Sequence, residues 1–164
     1  MNNLKSNLSW AFNNKNADSI KDLSIPSDTQ TLLLYNTNDL CLSEAQFNAL
    51  TASIAPADKF YVFQSDSDKI YEFDYPMTYD EYQALELFSI TYLTSDKFDW
   101  AVVIDENLES GIGILAAKSG VIERFSARYG NCLNDIQELI AFHYRDASRN
   151  PHSIGNLIKI LAQN

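Results

Sequence analysis

The stretch Asp99-Trp-Ala-Val-Val-Ile-Asp105, a polar turn over residues 106–110, and Gly111-Ile-Gly-Ile-Leu-Ala-Ala117 decide the fold. Residues 100–104 form a short apolar run rich in β-branched side chains, which predicts a strand covered on both faces. In the second run Gly111, Gly113, Leu115 and Ala117 fall on one face and Ile112, Ile114 and Ala116 on the other, because strand side chains alternate. The first of these faces is unusually small. Glycine weakens a strand, so its use here predicts a close backbone approach, a bulge, or a helix lying tight on the sheet. The polar turn between two apolar runs predicts an antiparallel hairpin over 100–117, deep in the sheet. Residues 121–128 read as a third strand that completes a central meander.

Outward from this centre, residues 59–64 and 69–75 flank Ser65-Asp-Ser-Asp68 and predict a second hairpin over 59–75. Tyr71, Phe73 and Tyr75 share one face of its second strand and pack inward. Glu72 and Asp74 fall on the outward face, their Cα atoms about 7 Å apart. Residues 31–35, Thr-Leu-Leu-Leu-Tyr, read as another buried strand. Helices are expected over residues 3–14, from Leu4, Leu8, Ala11 and Phe12, and from Ser43-Glu-Ala-Gln46 to about Ile54, opened by a capping box. A second capping box, Thr78-Tyr-Asp-Glu81, predicts a helix to about Leu93 that is the most buried of the set. Asn134-Asp-Ile-Gln137 opens a helix with Ile136, Leu139, Ile140 and His143 along one stripe. Asn150-Pro151 caps a last one carrying Ile154, Leu157, Ile158 and Leu161. The expectation is one α+β domain over residues 1–164: a central antiparallel or mixed sheet with flanking helices.

The 164 residues are 46% hydrophobic and 12% aromatic, enough for a folded core. Apolar runs fall short of the roughly 18 residues that span a bilayer, and the N-terminal stretch lacks a basic start followed by an apolar block. No membrane association and a cytoplasmic site are therefore expected. Cys41 and Cys132 stand far apart and read as small buried thiols.

The net charge of −10 is segregated. Residues 58–109 hold 13 acidic residues and 3 basic ones, Lys59, Lys69 and Lys97; the rest holds 22 − 13 = 9 acidic and 12 − 3 = 9 basic. Phosphate binding needs a basic surface, so nucleic acid is not an expected partner. Such a field favours a basic protein. The acids of the hairpin and the helix after it, Asp66, Asp68, Glu72, Asp74, Asp80 and Glu81, are the candidate partner-binding residues, with Tyr75 and Tyr79 as aromatic anchors.

No pattern specifies a reaction, and no catalytic residue, cofactor or metal site is expected. His143 lies on the apolar stripe of its helix, and His152 follows a proline in a first turn. Asp66 and Asp68 fail as a calcium loop, because Tyr71 stands at the glycine position and Met77 at the distal glutamate position. Gly111-Ile-Gly113 opens a strand rather than a helix and is no dinucleotide fingerprint.

Trp100, Asp105, Gly111, Gly113 and Phe125 also carry a resemblance. A helix, a Trp-bearing strand, an acidic turn, a Gly-x-Gly strand and an aromatic in the next segment, over about residues 78–128, resemble several small bacterial immunity proteins of contact-dependent or polymorphic toxin systems. The resemblance implies a non-enzyme that binds a cognate toxin, often a basic nuclease, and covers its active site. The alternative is a small-ligand or regulatory domain with a Tyr/Phe-lined cleft between the aromatic hairpin and the Tyr79–Tyr92 helix.

Overall fold

The computed structural model describes residues 2–13, 20, 23–36, 42–87, 89–105, 111–118 and 120–145. Several expected features lie outside these residues: the turn at 106–110, Cys41, His152, the segment from Asn150 onward, and the side chain of His143. The described chain is α+β. In order it runs α1 (Asn2–Asn7), β1 (Gln30–Asn36), α2 (Glu44–Ser53), β2 (Lys59–Gln64), β3 (Ile70–Asp74), α3 (Tyr79–Gln83), β4 (Thr91–Ser95), β5 (Trp100–Asp105), β6 (Gly111–Ala117), α4 (Val121–Tyr129) and α5 (Cys132–Arg145).

The strands form a single six-stranded sheet in the order β1-β6-β5-β4-β2-β3, antiparallel at every pairing. The expected hairpin is present, with Val102 opposite Leu115 and Val103 opposite Ile114. Every residue of β5 is buried. Its alternate side chains feed two separate cores. Trp100, Val102 and Ile104 join Phe60, Val62, Leu93 and Leu115 beneath α2, α3 and α4. Ala101 and Val103 join Phe63, Tyr92 and Ile114 beneath Leu8, Phe12 and Ile20, with Leu139 of α5. A strand apolar on both faces is what a sheet covered on both sides requires.

Gly113 sits between β1 and β5. A Cβ there would lie 3.1 Å from the Val103 carbonyl oxygen and 3.5 Å from the Leu34 Cβ, so the close approach comes from the neighbouring strands.

Three expected elements differ. The helix expected from Thr78 to Leu93 stops at Gln83, and residues 91–95 are strand β4. Glu86 has φ +47°, which a right-handed helix cannot contain. Tyr92 and Leu93, which closed the expected helix, belong to a strand buried on both faces. The expected third strand at 121–128 is helix α4, so the meander is β4-β5-β6. Gly120, at φ +67°, turns the chain out of the sheet. Buried Val121 and Phe125 are then spaced by four, a helical period. The first helix ends at Asn7, although Leu8, Ala11 and Phe12 are buried as their spacing predicted. In α5, Ile140 remains 37% exposed, so it does not join Leu139 in the core.

Both capping boxes form. Ser43 Oγ accepts from the Gln46 amide while Gln46 Oε1 accepts from the Ser43 amide. Thr78 and Glu81 repeat the pattern. With a helix this short, the cap is a large part of what holds α3 in place. Thr78→Ala is expected to cost about 1 kcal/mol in chemical denaturation. An unchanged denaturation midpoint would show that packing of the α3 side chains, Tyr79 and Tyr82 on Phe47, holds the helix without its cap.

Candidate functional site

Ten of the thirteen acidic residues in 58–109 stand on the described surface, and all ten are exposed or half-buried: Asp58, Asp66, Asp68, Glu72, Asp74, Asp80, Glu81, Glu86, Asp96 and Asp99. Asp105 is buried and accepts the Ile20 amide at 2.7 Å, so it is a structural carboxylate. The surface acids stand on and beside the β2-β3 hairpin, on α3 and the residues after it, and on the turn between the central strands β4 and β5.

The candidate residues do not share one flat face. Tyr71 and Phe73 turn toward the core under α2 and α3, whereas Glu72 and Asp74 project from the opposite side of β3. Asp80 and Glu81 sit on α3, on the Tyr71 side. The acids therefore wrap around the sheet edge. The two groups meet where β3 ends: the negative charge of Asp74 opposes ionisation of Glu81. The bonds that Thr78 makes to Glu81 outweigh that repulsion and hold the Glu81 carboxyl below its ordinary value.

Several of these carboxylates have intramolecular partners. Lys59 Nζ lies 2.7 Å from Asp74 and 3.2 Å from Glu72. That contact raises the Lys59 ammonium and lowers the Asp74 carboxyl. The pair is solvent-exposed and contributes little to stability. Asp66 accepts from Ser89 Oγ at 2.8 Å. The lysines of this region are engaged locally too. Lys69 stands 4.2 Å from the centre of the Tyr71 ring, and Lys97 donates to the Pro56 carbonyl.

The two expected aromatic anchors are half-buried and packed. Tyr75 stacks on Phe60 with ring centres 5.6 Å apart. Tyr79 lies against Phe47, and its hydroxyl donates to the Leu42 carbonyl at 3.1 Å. The rings expected to line a ligand cleft thus pack on one another and on the core. A different aromatic pair reaches solvent at the acidic edge. Tyr61 and Phe98 stack at 6.3 Å, nearly parallel and both half-buried. Burial and then the charges of Glu72 and Asp96 raise the Tyr61 hydroxyl pKa. Sequence reading missed this pair because Phe98 lies in a turn, at φ +50°, outside any periodic run.

A polar cleft of about 280 Å³ lies across the sheet from this edge, lined by residues that include Tyr35, Ser43, Tyr129, Asn134, Asp135 and Glu138. Asp135 is its buried member. It accepts from Tyr129 Oη at 3.1 Å and from Gln46 Nε2 at 3.3 Å. The Gln46 amide nitrogen also donates to the Tyr35 carbonyl at 2.8 Å. Burial raises the Asp135 carboxyl against the pull of these donors, among them the Tyr35 backbone amide. Burial and the Asp135 charge push the Tyr129 hydroxyl to about 12. The arrangement caps the outer side of β1, the other edge of the sheet, and sequence patterning gave no sign of it.

Among the described residues no group of three or more His, Cys, Asp or Glu side chains could hold a metal ion, and no helix is long and apolar enough to cross a membrane. The chain matches no family model, no curated protein and no solved structure.

Proposed function

We propose that this chain is a non-enzymatic acidic binding domain that engages a basic protein through the edge formed by β2, β3 and α3, in the manner of an immunity protein covering a toxin. The observation that carries this reading is the set of ten surface carboxylates against four locally engaged lysines: Lys59, Lys69, Lys97 and Lys5, which donates to the Ser65 carbonyl in the β2-β3 turn. A surface that served only solubility has no need to collect its net charge on one third of the chain. Collected charge of one sign speeds encounter with a partner of the opposite sign and repels nucleic acid. The half-exposed Tyr61 and Phe98 rings add contact area beside the charge. The partner is sought in the cytoplasm.

The test begins with the product of the gene directly upstream. Co-expression should protect cells from that product, and the purified pair should associate faster as salt is lowered. Replacing Glu72 and Asp74 together by lysine should slow association about tenfold or more at low salt and flatten the salt dependence, with the thermal midpoint kept. An unchanged rate at low salt would leave the acidic edge as a solubility feature.

A further inference from the structure

We infer that the outer side of β3 is a docking strand, to which the basic partner adds an extended segment alternating lysine or arginine with apolar residues. This inference rests on the acidic-edge reading and specifies its mode of recognition.

The two edges of the sheet are treated differently. At β1, α5 packs against the strand and Gln46 and Asp135 take up the outward polar groups of Tyr35. At β3 the pairing with β2 fixes which groups face out. The Tyr75 amide donates to the Asp58 carbonyl at 3.3 Å, so residues 75, 73 and 71 direct their backbone groups toward β2. The amides and carbonyls of Ile70, Glu72 and Asp74 therefore point away from the sheet. Among the described residues none of them is hydrogen-bonded. These are the donors and acceptors that an added strand uses.

The side chains then specify the strand. A residue directly opposite Glu72 or Asp74 would have its Cβ about 4.5–5.5 Å away, close enough for a cationic side chain to pair with the carboxylate. Residues in between would fall on the other face, over the half-buried rings of Tyr71 and Phe73. The same acids disfavour a second copy of this chain. Antiparallel pairing of two β3 strands would set Glu72 or Asp74 against like charges, in a chain already at −10. One charge pattern thus resists self-association and selects a basic strand.

The probe is a seven-residue peptide alternating lysine with valine, titrated into the full chain at low salt and followed by backbone amide resonances and hydrogen exchange. Binding should slow exchange of the Ile70, Glu72 and Asp74 amides specifically. N-methylation of the peptide at the residues that face the edge should weaken binding about tenfold or more. On the protein side, Glu72→Pro removes an amide that makes no bond inside the fold, and proline is tolerated at such an edge position. Glu72→Thr removes the charge alone. The proline variant should bind at least tenfold more weakly than the threonine variant while both keep the wild-type thermal midpoint. Should the proline variant fail to fold, the exchange pattern in the wild-type chain decides. Equal binding of the peptide and its N-methylated form would overturn strand addition and leave the acidic-edge reading standing. Absence of binding by either, and by a charge-matched lysine-proline peptide, would overturn both.

Discussion

Trp100→Ala should destabilise the protein by about 3–5 kcal/mol, the largest effect expected of any single truncation here. Trp100 is only 1% exposed, and its ring lies 5.5 Å from that of Phe60, tilted by 58°. Phe60 stacks in turn on Tyr75, so the indole supports the route from the central strands to the edge hairpin. Its removal opens a cavity bounded by a sheet and by helices, which do not collapse readily into it. Equilibrium denaturation in urea measures the loss. An unchanged midpoint would mean that Trp100 does not support the core.

Asp135→Ala should cost about 3 kcal/mol, because Gln46 and the Tyr35 amide would keep buried donors without their acceptor. Asp135→Asn separates charge from hydrogen bonding. The native carboxyl titrates above its ordinary value of 3.8, chiefly because it is buried. The folded state therefore holds this proton more tightly than the unfolded chain. The resulting stabilisation is complete below pH 3.8 and is lost as pH rises through the raised native value. The asparagine variant lacks that titration. Its stability relative to wild type should rise with pH across this window and then level off. Parallel stability curves for the two proteins would show that Asp135 ionises without cost.

Short, strongly marked signals were legible in the sequence. Ser43 with Gln46 and Thr78 with Glu81 opened helices where the capping pattern placed them. The runs around Val102 and Leu115 paired as the intervening polar turn implied. Residues 91–95 and 121–128 were misread for complementary reasons. A strand buried on both faces shows no alternation, and beside Tyr82 and Leu85 it prolonged an apparent helix. Residues 121–128 open with two β-branched residues, which favour strands, and the left-handed Gly120 that turns the chain out of the sheet has no periodic signature. The candidate acids were visible as a count, but their placement was not. Whether Glu72 and Asp80 fall on one side of the sheet depends on how β3 hands over to α3, and no local pattern encodes that. Asp135 was hidden for a further reason: Tyr129 is near in sequence, but the partners that bury its carboxyl against β1 are 89 residues away at Gln46 and farther still at Tyr35.

The pairing of β1 with β6 sets an order of events during synthesis. Asn36, the last residue of β1, lies opposite Gly111, the first residue of β6. The ribosome must therefore add 111 − 36 = 75 residues after β1 is complete before its partner strand even begins to emerge. At about 5–20 residues per second that interval is roughly 4–15 seconds. Leu32, Leu33 and Leu34 lack their native strand partner throughout it. The hairpins β2-β3 and β4-β5 close over far shorter spans and form within microseconds once emerged. Of the six described strands β1 is thus made first and paired last, and a nascent chain halted before β6 leaves an apolar strand open to chaperones.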